Sequence, residues 1–267
     1  SGDEVRFGPR LLQEYFAARY MEGEIKAGRL KATDIWKREK WWENTNWEEA
    51  AIFLAGLYSD DCTPVLDWLA DANPEVAAQC IARSGATIPD ATKIRLRDQL
   101  LPRLTDAEHD SQPEARAAVG RTLGIFQIDG RMADNRKGVG LRGDGLPDLD
   151  WVDIPAGEFI YGDGKTRQPL KLPQFCVTRY LVTHEQFAAF LMASDGFYNP
   201  KWWESLAASD KHKERTGDQG IDYGNHPYNN VSWYDAVAFT RWLSARLGYN
   251  VTLPTEHQYE RVARWRD

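Results

Sequence analysis

The chain has 267 residues, enough for one large domain or two ordinary ones, and its 42% hydrophobic and 27% charged content is that of a soluble globular protein. A net charge of -7 argues against a nucleic-acid partner, which would need surplus Lys and Arg to displace counterions from phosphate. No apolar run reaches the length of a bilayer span and no signal-peptide core opens the chain, so the expectations are no membrane partner and a cytoplasmic location.

Residues 1–128 read as all helix. One helix is expected around Leu11 to Ala27 and another from Asn46 through Leu57, with Asn46 and Glu49 at capping-box spacing. The tract Asn73-Pro74-Glu75-Val76-Ala77-Ala78 is echoed by Gln112-Pro113-Glu114-Ala115-Arg116-Ala117, the two prolines standing 39 residues apart. Proline at the first helical position, with Gly85 and Gly124 closing each helix, resembles HEAT-type helical repeats. The start, Phe7-Gly8-Pro9-Arg10-Leu11-Leu12-Gln13-Glu14-Tyr15-Phe16-Ala17-Ala18, resembles the helix that closes the NTPase module of NACHT-type STAND ATPases. That resemblance implies a preceding NTPase module of a parent protein. Of the pair Trp41-Trp42, one ring is expected inside and the other under a neighbouring loop. Lys93, Arg95, Arg97 and Arg103 are interleaved with Asp90, Asp98 and Asp106, the pattern of a solvated face.

Composition shifts near position 130. Residues 129–148 carry five glycines and no periodicity, and read as a linker or surface loop. Within them Gly138-Val139-Gly140-Leu141-Arg142-Gly143 spells G-x-G-x-x-G, but no strand delivers it and no helix receives it, so a loop is expected in place of a dinucleotide site. Trp151–Ile154, Glu158–Tyr161 and Phe175–Thr178 are predicted strands. Gly164-Lys165-Thr166 is a hairpin turn: Phe159 stands where a phosphate loop needs glycine, and Pro169 and Pro173 forbid the helix that should follow.

Three helix starts carry capping-box spacing: Thr183 with Gln186, Ser232 with Asp235, Thr255 with Gln258. Behind Ser232, residues Trp233, Ala236, Val237, Thr240, Leu243 and Leu247 share one face, and Gly248 ends the helix. Cys62, Cys80 and Cys176 are expected to be buried free thiols. The five histidines show no spacing suited to zinc.

The tracts Trp151-Val152-Asp153-Ile154-Pro155-Ala156-Gly157-Glu158-Phe159, Tyr180 to Phe187, His226-Pro227-Tyr228-Asn229-Asn230-Val231-Ser232-Trp233-Tyr234-Asp235-Ala236, Leu253-Pro254-Thr255-Glu256 and Tyr259 to Arg264 resemble the sulfatase-modifying factor family, the formylglycine-generating enzymes and their non-catalytic relatives. The resemblance implies an α+β chain overall: HEAT-like helical repeats over 1–128, a linker over 129–148, and a partial C-type-lectin-related domain over 149–267, incomplete at its C-terminal end. It also implies that the copper-binding cysteine pair and the main calcium ligands of the enzymes fall beyond Asp267. No cofactor is then expected in this chain, and copper or calcium only if that part of the domain is present.

Two functions follow from it. One is a non-catalytic sensing or binding region of a larger NACHT-type signalling or defence protein; the other is the front portion of a formylglycine-generating oxidase acting on protein cysteine. For the first, the candidate surface lies between Gly196 and Tyr228. It comprises Phe197, Tyr198, Trp202, Trp203, Tyr223 and Tyr228 amid Lys201, Glu204, Lys211, His212, Lys213, Glu214, Arg215 and Asp218, a mixture suited to gripping a protein or peptide ligand. The same rings could instead cover the domain's core.

Overall fold

The computed structural model describes residues 10–207, 216–217, 219–220 and 223–264. Two units divide the chain, Ser1–Asp134 and Asn135–Asp267. Phe7 to Pro9, and Lys211 to Arg215 with Asp218, lie outside the described residues.

The first unit is helical: α1 (Arg10–Lys26), α2 (Ala32–Ile35), α3 (Glu48–Gly56), α4 (Thr63–Leu69), α5 (Pro74–Arg83), α6 (Asp90–Leu100) and α7 (Pro113–Ile125). Helix α1 packs on α3, α3 on α5 and α5 on α7, while α4 lies against α3 and α5, and α6 against α7. Small side chains at the crossings, Ala50, Ala51, Ala55, Ala77, Ala78, Ala115 and Ala118, are all buried and let the helices approach closely. Gly56 serves the same end, since a Cβ there would stand 3.1 Å from the Ser84 carbonyl. Met21, Leu54, Leu69, Leu100 and Leu123 fill the remaining core, each worth about 1.5–3 kcal/mol of burial.

Local chemistry explains where the helices start. Pro74 and Pro113 both occupy the first turn, and Asn73 accepts from the Val76 amide at 3.0 Å. The start of α3 differs from the sequence expectation. Asn46 takes a left-handed conformation (φ 67°) and caps nothing; the Glu48 carboxylate instead accepts from Thr45 N at 2.8 Å and Thr45 Oγ1 at 3.0 Å. Glu49 is thereby released to pair with Arg83. Gly85 follows α5 with φ 72°, as expected, but Gly124 lies inside α7, which runs on to Ile125 because Phe126 leaves in extended geometry and buries its ring.

Trp41 is buried and Trp42 half-buried, their rings edge to face at 6.0 Å. The indole of Trp41 donates to Asp110 at 3.3 Å, and Arg103 holds the same carboxylate at 2.7 and 3.0 Å. Burial acts to raise the Asp110 pKa, but the Arg103 bonds outweigh it and hold the carboxyl below its usual range. Lys93, Arg95 and Arg97 are paired with Asp90, Asp67 and Asp98.

The Gly-rich tract is shared between the units. Asp129 and Gly130 turn a small hairpin of β1 (Gln127–Ile128) and β2 (Arg131–Met132), whose Ile128 and Met132 are buried in the helical unit. From Asn135 the chain belongs to the second unit, where Val139 is buried.

In the second unit β3 (Trp151–Ile154) pairs antiparallel with β6 (Phe175–Thr178), Val152 opposite Val177. Strand β4 (Gly157–Tyr161) pairs with β5 (Gln168–Leu172), Phe159 opposite Leu170, and the 3-10 turn Gly164–Thr166 joins them as a hairpin. Three helices complete the described unit: α8 (His184–Met192), α9 (Trp233–Leu247) and α10 (Glu256–Ala263). All three predicted capping boxes are formed. Gly248 closes α9 with φ 76°.

The buried face of α9 is rotated from the predicted one. Ala238, Phe239, Trp242 and Leu243 enter the core while Trp233 is 61% exposed, because the aromatic residues of α8 and the loop after it lie on the Phe239–Trp242 side. Thr240 bonds the Val237 carbonyl at 3.0 Å, satisfying its hydroxyl locally. None of the described helices is long and apolar enough to cross a membrane.

Candidate functional site

The candidate surface begins where α8 stops. Gly196 lies so close to the Phe190 carbonyl that a Cβ would approach it to 1.9 Å, so only glycine permits the turn. The turn swings Phe197 under α8, with its amide on the Phe190 carbonyl at 3.0 Å and its ring completely buried. Asn199 then caps the 3-10 turn Pro200–Trp203 by accepting from the Lys201 amide. This short turn is what allows adjacent tryptophans to be buried together. Trp202 donates its indole N–H to the Asp195 carbonyl at 2.5 Å, and Trp203 to the Phe197 carbonyl at 2.7 Å.

From α9, Arg241 donates to the carbonyls of Trp202 (3.1 Å) and Glu204 (2.7 Å), and Arg246 is paired with Asp195. Burial pushes the Asp195 pKa up, but the Arg246 guanidinium prevails and holds it below the ordinary value. The loop 193–207 is thus clamped by its own carbonyls, though it has no long element.

The six aromatic candidates therefore separate. Phe197, Trp202 and Trp203 are buried: their rings belong to the same core cluster as Phe190, Phe239 and Trp242, and the two indole donors are used internally. Tyr228 also turns inward, stacked on Phe187 at 4.2 Å, its hydroxyl bonded to Thr216 at 2.8 Å. Burial raises its pKa. Tyr223 is half-buried, its carbonyl accepting from the His226 amide. Tyr198 alone stands out, 70% exposed, its ring edge-on to Phe197 at 5.3 Å. Beside it opens a hollow of about 390 Å³ lined by Phe197, Tyr198, Pro200, Trp203 and Glu204.

A second polar centre was not anticipated. The Gln186 amide donates to the carbonyls of Gly138 (3.2 Å), Gly140 (3.3 Å) and Asp148 (2.5 Å), while Thr183 Oγ1 donates to the Val139 carbonyl at 2.7 Å. Asp148 in turn accepts from the Gly138 amide. The G-x-G-x-x-G spelling therefore belongs to a loop held by α8, with its first amide already occupied by a carboxylate. The only sequence signal was Gln186 itself, read there as a cap.

Cys62 and Cys80 are buried, and burial raises the Cys62 thiol to about 11. Cys176 departs from expectation. It is exposed, and its thiol donates to Asp153 across the β3–β6 pair at 3.0 Å, which raises its pKa and suppresses the thiolate. No group of three or more potential metal ligands occurs among the described residues. Near the chain end, Tyr161 donates to Glu256 at 2.9 Å, the Gly162 amide to Glu260 at 2.7 Å, and Arg264 to Asp163, which fastens α10 to the β4–β5 hairpin. His257 lies edge-on to Tyr161 at 4.6 Å, completing that contact.

Residues 146–266 match the family described as Sulfatase-modifying factor enzyme 1-like domain. A formylglycine-generating enzyme of Thermomonospora curvata is 30% identical over 152 residues, covering 42% of this chain and 48% of that protein. YfmG of Bacillus subtilis is 30% identical over 122 residues, covering 43% and 23%. The serine/threonine-protein kinase Pkn1 of Chlamydia trachomatis is 28% identical over 123 residues, covering 43% and 19%. The chain thus spans about half the length of the first relative and less than a quarter of the other two. Residues 146–266 are a sulfatase-modifying factor enzyme 1-like domain, with formylglycine-generating enzymes among its distant relatives.

Proposed function

We propose that the second unit is a recognition module that binds a protein or peptide through the loop 193–207, carried by a helical arm. The observation that supports this most directly is the division of labour within the loop: Phe197, Trp202 and Trp203 anchor it in the core while Tyr198 and Glu204 stay exposed around a hollow. Function placed on a loop held by a rigid scaffold suits such a role. The similarity to proteins as different as a formylglycine-generating enzyme and a serine/threonine-protein kinase supports a domain not tied to one reaction. The α1–α3–α5–α7 packing supports reading the arm as a HEAT-type stack. The resemblance of its first helix to NACHT-type ATPases makes a signalling protein the parent in this reading. An array of immobilised twelve-residue peptides probed with the chain and with Tyr198→Ala tests it. Peptides retained by the first and lost by the second are expected; an identical pattern for both overturns the reading.

A second reading, favoured by the similarity to formylglycine-generating enzymes, makes the unit part of a thiol oxidase. Cys176 does not supply the reactive thiol of that reading, since it is bonded to a carboxylate that disfavours the thiolate. Incubation with copper and a cysteine-bearing sulfatase-type peptide, followed by mass spectrometry, separates the two. Conversion of the peptide thiol by this chain would replace the recognition reading with the oxidase.

A further inference from the structure

The hollow beside Tyr198 has a chemistry of its own. Its floor is fixed, since Phe197 and Trp203 are buried and joined by the Trp203 indole bond to the Phe197 carbonyl. Its rim is not. Tyr198 offers most of its ring to solvent, and Glu204 is exposed while Arg241 holds its carbonyl in place. Among the described residues the Glu204 carboxylate has no ion-pair partner within reach. Among the described residues the neighbouring cations are engaged elsewhere: Lys201 lies over the Trp202 ring at 4.9 Å and Arg246 is paired with Asp195, and neither lines the hollow.

Aromatic faces carry negative potential that attracts cations, and a carboxylate with no ion-pair partner among the described residues adds a charge-assisted acceptor at the same opening. A neutral donor would gain the hydrogen bond without the ion pairing or the cation–π attraction, and an anion would be repelled. The volume of about 390 Å³ accommodates one long side chain and not a folded element. We infer that this hollow receives the cationic end of a basic side chain, the guanidinium of arginine or the ammonium of lysine, presented by a bound peptide or protein. The inference rests on the recognition reading above and specifies its ligand.

The test uses the whole chain and small probes, n-butylguanidinium and n-butylammonium, with 1-butanol and butyrate as neutral and anionic counterparts, followed through the indole N–H resonance of Trp203. Saturating shifts are expected with the cations alone, the stronger of the two naming the preferred side chain. Glu204→Gln and Tyr198→Ala replace exposed groups, so their far-UV circular dichroism should be unchanged, and each is expected to weaken cation binding at least tenfold. Equal shifts from 1-butanol, or cation binding indifferent to both variants, would overturn the inference. Failure here with peptide capture still dependent on Tyr198 would remove the cation assignment alone; failure of both would remove the recognition reading as well.

Discussion

The two units reach stability by different means. In the helical unit the core is mostly aliphatic, Ala and Leu at the helix crossings with Trp36, Trp41 and Phe126 among them, and most of its backbone lies in helices that satisfy themselves. In the second unit the core is aromatic, and long side chains reach across the sequence to hold loop carbonyls: Gln186 on 138–148, Arg241 on 202–204, the two indoles on 195 and 197. Burial of periodic apolar faces tolerates substitution by degrees, whereas a loop held by a few donors depends on each of them. The first design suits a scaffold. The second leaves loop surface available for a ligand.

This contrast can be broken most severely at the aromatic clamp. Trp203→Ala removes a buried ring and the donor for the Phe197 carbonyl, and should cost about 3–5 kcal/mol. Denaturant unfolding should show the second unit melting early while the far-UV helical signal of the first unit persists. A loss below about 1 kcal/mol would mean that the loop does not depend on this anchor.

Next comes the buried ion pair of the helical unit. Asp110→Ala strands Arg103 and the Trp41 indole, at about 3 kcal/mol. Because the folded Asp110 pKa is depressed, its contribution is present above the unfolded carboxylate value near about 4 and is lost as pH falls through the folded value. Acid titration of stability should therefore show a decline below about pH 4 that Asp110→Ala flattens. An unchanged acid limb would refute the pairing.

Gln186→Leu leaves the carbonyls of Gly138 and Asp148 without their donor, Gly140 keeping the Asp148 amide, and should cost about 2–3 kcal/mol, with faster amide exchange confined to 138–148. Uniform exchange across the unit would mean that the loop is held otherwise. Thr183→Ala removes an N-cap and the bond to Val139, for about 1 kcal/mol in the same measurement. Smallest is Glu49→Gln, which loosens an exposed pair with Arg83 and should change stability by less than about 0.5 kcal/mol. A larger loss would show the helical unit to depend on surface charge after all.

How much of this was legible differs with the range of the interaction. The caps at Thr183, Ser232 and Thr255 were readable because donor and acceptor sit three residues apart. The α3 start was misread by one residue: Thr45 and Glu48 have the same spacing as Asn46 and Glu49, and only the left-handed backbone at Asn46 decides between them. The α9 face was misjudged because period alone does not say which side the α8 aromatics occupy. At the candidate site the sequence marked a segment but could not tell buried ring from exposed ring. Phe197, Trp202, Trp203 and Tyr198 are equally aromatic, and their fates diverge through one glycine turn and two indole bonds.

By itself the sequence determined much of what depends on neighbours along the chain: the capping boxes of α8, α9 and α10, the change of composition near residue 130, and the motifs that tie residues 146–266 to their family. Tertiary structure alone decided which aromatic rings are core and which are surface, and that the Gly-rich tract is held by Gln186. The reason is physical. Capping and periodicity are contacts of short sequence separation, while burial depends on which distant element arrives to exclude water, a choice that spacing within one segment does not contain.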